Sequence, residues 1–220
     1  MSFESVLNTH PWQAILDRVS LSTRRDVEAA LNHEKPGLKE FVALLSPAAE
    51  PFLESMAKKA HRITRCRFGR VIQMYVPLYL GNECTNSCLY CGFSRQNQIK
   101  RRTLTFEEAI HEGNLLLDQG FRHLLLVSGE SPRHVSAETI SKVVKGFKGG
   151  FASVAIEVQP MSTEDYGMLI EHGVDSLVSY QETYNRSAYG AFHPKGPKKD
   201  FSFRLATAER GGAAGFRRVG

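Results

Sequence analysis

Cys84, Cys88 and Cys91 stand within eight residues, in Cys84-Thr-Asn-Ser-Cys88-Leu-Tyr-Cys91, directly after the apolar run Met74 to Leu80. Thiolates bunched this way suit a thiophilic ion or cluster rather than a disulfide framework. Cys-x3-Cys-x2-Cys offers ligands for three corners of a [4Fe–4S] cube and leaves the fourth iron without a protein ligand. An open iron is a place for a small molecule to bind, whereas an electron-transfer cluster usually takes four cysteines. Structural zinc is the rival reading, with Cys66 or His61 as fourth ligand. Zinc spacing usually comes as two Cys-x2-Cys pairs, or a Cys pair with a His pair, and neither pattern is present. Cys66 lies in Arg65-Cys66-Arg67, eighteen residues before Cys84. Plain packing at a helix end and ligation are its two readings.

A chemical loop needs elements to hold it. Val71 to Leu80, rich in β-branched and aromatic residues, predicts a buried strand leading into the cysteines. Thr105-Phe-Glu-Glu108 is a capping box opening a helix with Phe106, Ala109, Ile110, Gly113 and Leu117 on one face, closed by Gly120. His123 to Ser128 is a second strand, Ser136 to Lys148 a helix, and Val154 to Gln159 a third strand. Ser162 caps a helix carrying Tyr166, Leu169 and Ile170. Ser176 to Tyr180 predicts a fourth strand, Phe201 to Ala214 a helix weakened by two adjacent glycines, and Val219 the start of a fifth strand.

This alternation predicts an α/β fold of repeated βα units on a parallel sheet. The polar residues fall at the C-terminal strand ends, where (β/α) barrels collect their active sites: the cysteine loop, Ser128-Gly129-Glu130, Glu157 with Gln159, and Gln181 with Glu182. A closed eight-stranded barrel takes roughly 250 residues. Only 150 follow Arg70, so the expectation is an incomplete barrel of about four βα units over 71–220, a fragment or a sheet completed by something else. Residues 1–70 read as a helical extension, with apolar stripes at Leu38, Phe41, Val42 and Leu45 and at Leu53, Met56, Ala57, Ala60 and Ile63.

Composition bounds the rest. The chain has 220 residues, 42% apolar and 23% charged, which suits a globular protein with a sizeable core. No basic-then-apolar leader opens it and no apolar run nears the roughly 20 residues of a membrane helix, so a reducing, cytoplasmic setting is expected. The net charge of +5 suits nucleic acid or an anionic cofactor equally. Lys100-Arg-Arg102 and Lys195 to Lys199 lack interleaved aromatics and read as solvated loops rather than a nucleic-acid face. No Walker A or Rossmann fingerprint appears.

The cysteine spacing, with Tyr90 before the last cysteine, resembles that of the radical S-adenosylmethionine superfamily. The resemblance implies that Cys84, Cys88 and Cys91 hold a [4Fe–4S] cluster whose open iron chelates S-adenosyl-L-methionine, from which a 5′-deoxyadenosyl radical forms. It implies a place for Tyr90 near the adenine. Ser128-Gly129-Glu130 stands where the family has its Gly-Gly-Glu-type motif for the methionine amino group, with Ser128 replacing the first glycine.

Further motifs are similar to the tyrosine lyases of thiamine biosynthesis, the 2-iminoacetate synthases: Tyr75-Val-Pro-Leu-Tyr-Leu80, Cys91-Gly-Phe-Ser94, Ile99 to Leu104, Glu157-Val-Gln-Pro160, Tyr180-Gln-Glu-Thr-Tyr184, Asp26 to Leu31 and Ala43 to Ala49. His193-Pro194 and Gly196-Pro-Lys198 resemble the related hydrogenase-maturation tyrosine lyases. Either likeness implies Cα–Cβ cleavage of L-tyrosine to p-cresol. The thiamine likeness adds 2-iminoacetate (dehydroglycine), a thiazole synthase partner and an external reductant such as flavodoxin or ferredoxin. It implies that Glu157, Gln159 and Gln181 contact the ribose or carboxylate of S-adenosylmethionine, and that Tyr180 and Glu182 face substrate; strand-end packing is the alternative for each. The same families' chains are longer, so the expectation is that these 220 residues alone do not turn over tyrosine. An electron carrier, which would need Cys66 as fourth ligand, and a zinc module remain as readings from other classes.

Overall fold

The structure, a computed structural model, describes residues 2–220. The chain divides into two compact units, Ser5–Ile72 and Gln73–Gly220, the latter with the residues up to Glu4. Helices α1 (Phe3–Asn8), α2 (Trp12–Leu21), α3 (Arg24–Asn32), α4 (Leu38–Leu44) and α5 (Leu53–Phe68) precede the first strand, with a 3-10 turn over Pro47–Phe52. A reciprocal capping box starts α3. The Thr23 hydroxyl accepts from the Asp26 amide, and the Asp26 carboxylate accepts from the Thr23 amide at 2.9 Å. Val27, Ala30, Ala43 and Ala49 form the small core of the helical unit. Lys59 on α5 donates to the Leu31 and His33 carbonyls at 2.6 and 2.7 Å, answering orphan acceptors at the end of α3.

The apolar stripes expected here are helical but mostly not buried. Leu38, Phe41, Leu45, Leu53 and Ile63 are exposed, and Ala43 and Ala49 fill the interior instead. Among the described residues no helix is long and apolar enough to cross a membrane.

The second unit carries the sheet. Strands β1 (Val76–Gly81), β2 (His123–Ser128), β3 (Ser153–Glu157), β4 (Ser176–Leu177) and β5 (Arg218–Val219) lie side by side in chain order, each pair parallel. This is an α/β fold with an open arc of strands, not a closed barrel. One register row crosses all five strands through Leu78, Leu126, Ile156, Leu177 and Val219. The first four of these side chains are buried in the core, as a parallel sheet covered by helices requires. Helices α6 (Phe106–Asp118), α7 (Ala137–Gly146) and α8 (Thr163–Glu171) connect the first four strands. Between β4 and β5 run α9 (Arg186–Phe192), a 3-10 turn (Pro197–Lys199), α10 (Phe201–Leu205) and α11 (Thr207–Ala214). Thr105, Ser136 and Ser162 cap α6, α7 and α8 through their hydroxyls.

Three expectations are corrected. The first strand begins at Val76 rather than Val71, and Val71, Ile72, Met74 and Tyr75 are exposed. Its partner β2 starts at His123, which leaves the earlier residues nothing to pair with. Pro77, which lacks an amide hydrogen, is tolerated because β1 is an edge strand. The fourth strand is two residues long, although the Val178 and Ser179 amides beyond it still donate to the Ile156 and Gly220 carbonyls at 2.9 and 2.7 Å. The helix from Phe201 breaks at Ala206 into α10 and α11, and α11 runs through Gly211 and Gly212.

Tyr166 shows how polar groups are satisfied inside this core. Its ring is fully buried on α8, and its hydroxyl accepts from the Met161 amide at 3.0 Å. Tyr166→Phe strands that amide without a partner, so a loss of about 1–3 kcal/mol is expected. Urea unfolding of the two chains measures it. A loss under about 0.5 kcal/mol would mean that water reaches the Met161 amide.

Candidate cluster and cofactor site

The loop after β1 is held from three directions. Its Thr85 amide and hydroxyl donate to the Glu130 carbonyl at 3.0 and 2.9 Å, which pins it to the residues after β2. Gly129 permits that approach. A Cβ there would lie 2.3 Å from the Glu83 carbonyl oxygen and 3.2 Å from Cys84 Cβ. From the second side, the segment following α9 backs the loop. The Ser87 amide donates to the Lys195 carbonyl at 3.0 Å and the Leu89 amide to the Phe192 carbonyl at 3.1 Å. Gly196, with φ of +94°, passes so close that a Cβ would sit 2.4 Å from Asn86 Oδ1. From the third side, the Arg101 guanidinium donates to the carbonyls of Asn82, Phe93 and Ser94 at 2.7, 2.9 and 2.7 Å. The loop is therefore shaped by the protein itself.

Buried Asn86 joins these supports. Its Nδ2 donates to Glu130 Oε2 at 2.7 Å, and its Oδ1 accepts from the Lys198 amide at 2.8 Å. Glu130 Oε1 pairs with the Arg204 guanidinium of α10, and Arg204 Nη1 also donates to the Tyr180 carbonyl at 3.2 Å. Both carboxylate oxygens of Glu130 thus have partners within the chain. Lys198 Nζ lies 2.7 Å from Glu182 Oε1 and 5.8 Å from the centroid of the Tyr90 ring. Glu182 holds this place with a φ of +70°, a left-handed conformation that a glutamate adopts at a cost. The two basic runs expected to be solvated are thus corrected: Arg101 and Lys198 are built into the site.

Of the expected ligands, Cys88 is buried, while Cys84 and Cys91 are half-buried. Burial pushes the Cys88 thiol up, against the opposing charge of Lys198, so a metal would have to displace a proton there. Cys66 is exposed on α5, in the other unit. Among the described residues no three His, Cys, Asp or Glu side chains converge where a single ion would sit. A tetrahedral zinc needs that convergence at about 2.3 Å from each sulfur. Cluster thiolates each take their own iron and do not need it. Three thiolates carried by one loop are the donor set that three corners of a [4Fe–4S] cluster take.

The strand ends also leave polar atoms waiting. Ser128 Oγ, Ser179 Oγ, Gln159 Oε1, Arg204 Nε and both amide atoms of Gln181 are buried without a hydrogen-bond partner in the chain. Buried polar groups are normally paired, so several orphans at one end of a sheet fit a polar ligand bound there. Gln159 is half committed to the fold, since its Nε2 donates to the Val135 carbonyl at 2.7 Å. Tyr180 is exposed, and its backbone carbonyl, not its ring, makes the contact with Arg204.

Glu157 is half-buried at the end of β3. Burial first, and then the charge of Glu182, push its carboxyl above the ordinary range, while Lys198 opposes them. The unfolded chain gives up this proton near pH 4.5, and the folded chain holds it to higher pH. Stability therefore falls as pH rises from there through the folded-state value. Glu157→Gln removes that penalty. The variant should unfold at higher denaturant concentration than the parent at neutral pH, with the gap closing below the unfolded-state value. A gap of the same size at both pH values would assign the effect to packing instead.

Sequence reasoning gives no role to Asn86 or Arg204, and notices His193 only within the His193-Pro194 likeness. His193 is fully buried, with Nε2 2.7 Å from the Tyr90 hydroxyl. The dense His193-Pro-Lys-Gly-Pro-Lys198 segment was the available sign that a stiff, shaped loop lay there.

The family profile described as the Radical SAM superfamily matches residues 78–220, which include the cysteine loop, most of β1 and the other four strands. The chain belongs to the radical SAM superfamily. This radical SAM chain is 43% identical over 209 residues to 2-iminoacetate synthase of Escherichia coli, covering 95% of its own length and 55% of the relative. It is 44% identical, with the same coverage, to 2-iminoacetate synthase of Salmonella typhimurium. It thus spans about half the length of the curated relatives it matches. Among solved structures it is similar to the crystal structure of HydG, a maturase of the [FeFe]-hydrogenase. That match has a TM-score of 0.87 and 30% identity, covering 95% of this chain and 49% of that one.

Proposed function

We propose that Cys84, Cys88 and Cys91 hold a [4Fe–4S] cluster, that S-adenosylmethionine binds beside it, and that the site serves Cα–Cβ cleavage of L-tyrosine to 2-iminoacetate and p-cresol. The observation that carries this reading is the 43–44% identity to 2-iminoacetate synthases over 209 residues. When bound, the cluster and S-adenosylmethionine together supply the one-electron chemistry that takes a hydrogen atom from the amino group of tyrosine.

The chain's own residues bind and orient. Ser128 Oγ and the Gln181 amide, both unpartnered, offer donors and acceptors to the amino-acid end of the cofactor. Glu157, held toward its protonated form, suits a ribose hydroxyl. Tyr90 gives an apolar face to the adenine. Burial alone would push Glu182 up, but the hydrogen bond and charge of Lys198 outweigh it and hold the carboxylate below its usual range. An ionised Glu182 beside the Lys198 ammonium is a charge pair that a zwitterionic substrate can be oriented against, with Tyr180 nearby in sequence. Water exclusion over such a site favours one hydrogen transfer over side reactions. An external reductant of the flavodoxin or ferredoxin class and a thiazole synthase partner complete the proposal.

The test is anaerobic iron and sulfide analysis with electron paramagnetic resonance of the reduced chain, with and without S-adenosylmethionine. About four irons per chain and a spectrum that changes with the cofactor support the reading. Zinc in place of iron, or a spectrum indifferent to the cofactor, would overturn it. A second reading, a hydrogenase-maturation tyrosine lyase, is favoured by the TM-score of 0.87 to HydG. In a longer chain that turns over tyrosine, the product beside p-cresol separates the two: glyoxylate from hydrolysed 2-iminoacetate supports the first, and a different fate of the two-carbon fragment the second.

A further inference from the structure

We propose that His193 is a positioning residue for Tyr90: its neutral imidazole accepts the Tyr90 hydroxyl and sets the angle of that ring before S-adenosylmethionine arrives. The inference rests on the reading above, in that the ring is taken to meet the cofactor.

The hydrogen bonds assign the tautomer. His193 Nδ1 lies 2.8 Å from the Tyr189 carbonyl oxygen, which can only accept, so Nδ1 carries the hydrogen. Nε2 lies 2.7 Å from the Tyr90 hydroxyl and is then an acceptor unless the ring takes a second proton. The imidazole has 0% of its surface exposed, and burial holds it below its ordinary range, so the second proton is disfavoured. Nδ1 thus donates to Tyr189 and Nε2 is left to accept from the Tyr90 hydroxyl, for which the Glu182 carboxylate is the competing acceptor.

The geometry shows what the bond does. Tyr90 lies between two of the proposed ligands with 51% of its surface exposed, so packing alone leaves its ring free to swing. Its hydroxyl is tied to His193, a residue 103 positions later in the chain. The two rings meet edge to face, with centroids 5.5 Å apart and an interplanar angle of 89°, and Phe192 braces Tyr90 from 6.4 Å. One residue before each partner, the Leu89 amide donates to the Phe192 carbonyl. Two adjacent bonds, one between backbones and one between side chains, therefore clamp the cysteine loop to the end of α9. The anchor is itself fixed, because the Tyr189 hydroxyl donates to the Lys198 carbonyl. Among the described residues His193 makes its side-chain hydrogen bonds with Tyr90 and Tyr189, not with the proposed ligands. Its effect passes through Tyr90.

A double-mutant cycle tests this with Tyr90→Phe, His193→Leu and the pair. In the cluster-free chain, imidazole nitrogen-15 resonances should show His193 neutral and protonated on Nδ1. Tyr90→Phe should shift its Nε2 signal toward that of an acceptor without a donor. After anaerobic reconstitution, S-adenosylmethionine is titrated against the paramagnetic resonance spectrum of each chain. Each single variant should bind it roughly tenfold more weakly, and the double variant no more weakly than either single one. Iron content of Tyr90→Phe should match the parent, which a bond needed only to hold the loop's shape would not allow, while its thermal midpoint falls modestly because the buried Nε2 loses its donor. His193→Leu risks misfolding, so Tyr90→Phe carries the test if it does. Unchanged affinity in Tyr90→Phe, multiplicative losses in the double variant, or a His193 protonated on Nε2 would each overturn the proposal. A parent cluster indifferent to the cofactor would instead overturn the underlying reading, and this inference with it.

Discussion

Replacing Arg204 with methionine is expected to cost the sheet-bearing unit about 3–5 kcal/mol, because it leaves a mostly buried carboxylate without its counter-ion. The Arg204 side chain is 5% exposed and that of Glu130 14%, so solvent screens their pair weakly. Arg204 Nη2 donates to Glu130 Oε1, and without it only the Asn86 amide, at 2.7 Å, still answers the charge. The Tyr180 carbonyl loses a donor as well. Glu130 in turn holds the cysteine loop through its own backbone carbonyl, so the damage reaches the site. Adding Glu130→Gln to Arg204→Met removes the orphaned charge and should restore most of the loss. The double variant should then be more stable than Arg204→Met alone, a sign that additive packing losses cannot produce. Urea unfolding of the three chains at neutral pH decides it. A single-variant loss under about 1 kcal/mol would mean that water screens the pair after all.

How much of this was legible can be read from particular residues. The Thr105 capping box and the run His123 to Ser128 are local signals, and α6 and β2 appear where those signals place them. Strand ends collect the polar residues because each βα unit turns at the same end of the sheet, so Ser128, Glu157 and Gln181 could be picked out by position. What failed was decided by partners. The first strand lost its early residues because β2 offers nothing to pair with them, and the fourth pairs in register through Ser176 and Leu177, with single bonds from Val178 and Ser179 beyond. Leu38 and Phe41 have helical spacing, yet periodicity says only that a face exists and not what covers it. In the site, three cysteines in eight residues announce themselves. Arg204 and His193 do not, since their contacts reach back 74 and 103 residues, which neither the helix expected around Arg204 nor the His193-Pro194 motif foretells. Lys198 was misjudged for the same reason. A lysine among prolines and glycines looks solvated until Glu182 and Tyr90 are known to lie beside it.

Serine at position 88 should empty the site. In Cys88→Ser the iron bound after anaerobic reconstitution is expected to fall from about four per chain to less than about one, because two thiolates cannot hold a cube that three secure. Cys84→Ser and Cys91→Ser should do the same. Cys66→Ser should keep the parent's iron, since that thiol is exposed on α5 while the others share one loop. The fold gives the experiment its control. The loop's shape comes from Asn86, Arg101 and the backbone bonds to Glu130, Phe192 and Lys195, none of which involves a sulfur. The cluster-free Cys88→Ser chain should therefore unfold within about 1–2 kcal/mol of the cluster-free parent, the cost of burying one hydroxyl. Loss of iron without loss of fold assigns the sulfurs to ligation. Loss of both would make Cys88 a packing residue, and loss of iron in Cys66→Ser would point to four cysteines and an electron carrier. The buried position of Cys88 sharpens the contrast, because its thiol favours the proton that a metal must remove. Reconstitution of the parent should accordingly release protons and quicken as pH rises, and a rate indifferent to pH would mean that thiol deprotonation does not limit assembly.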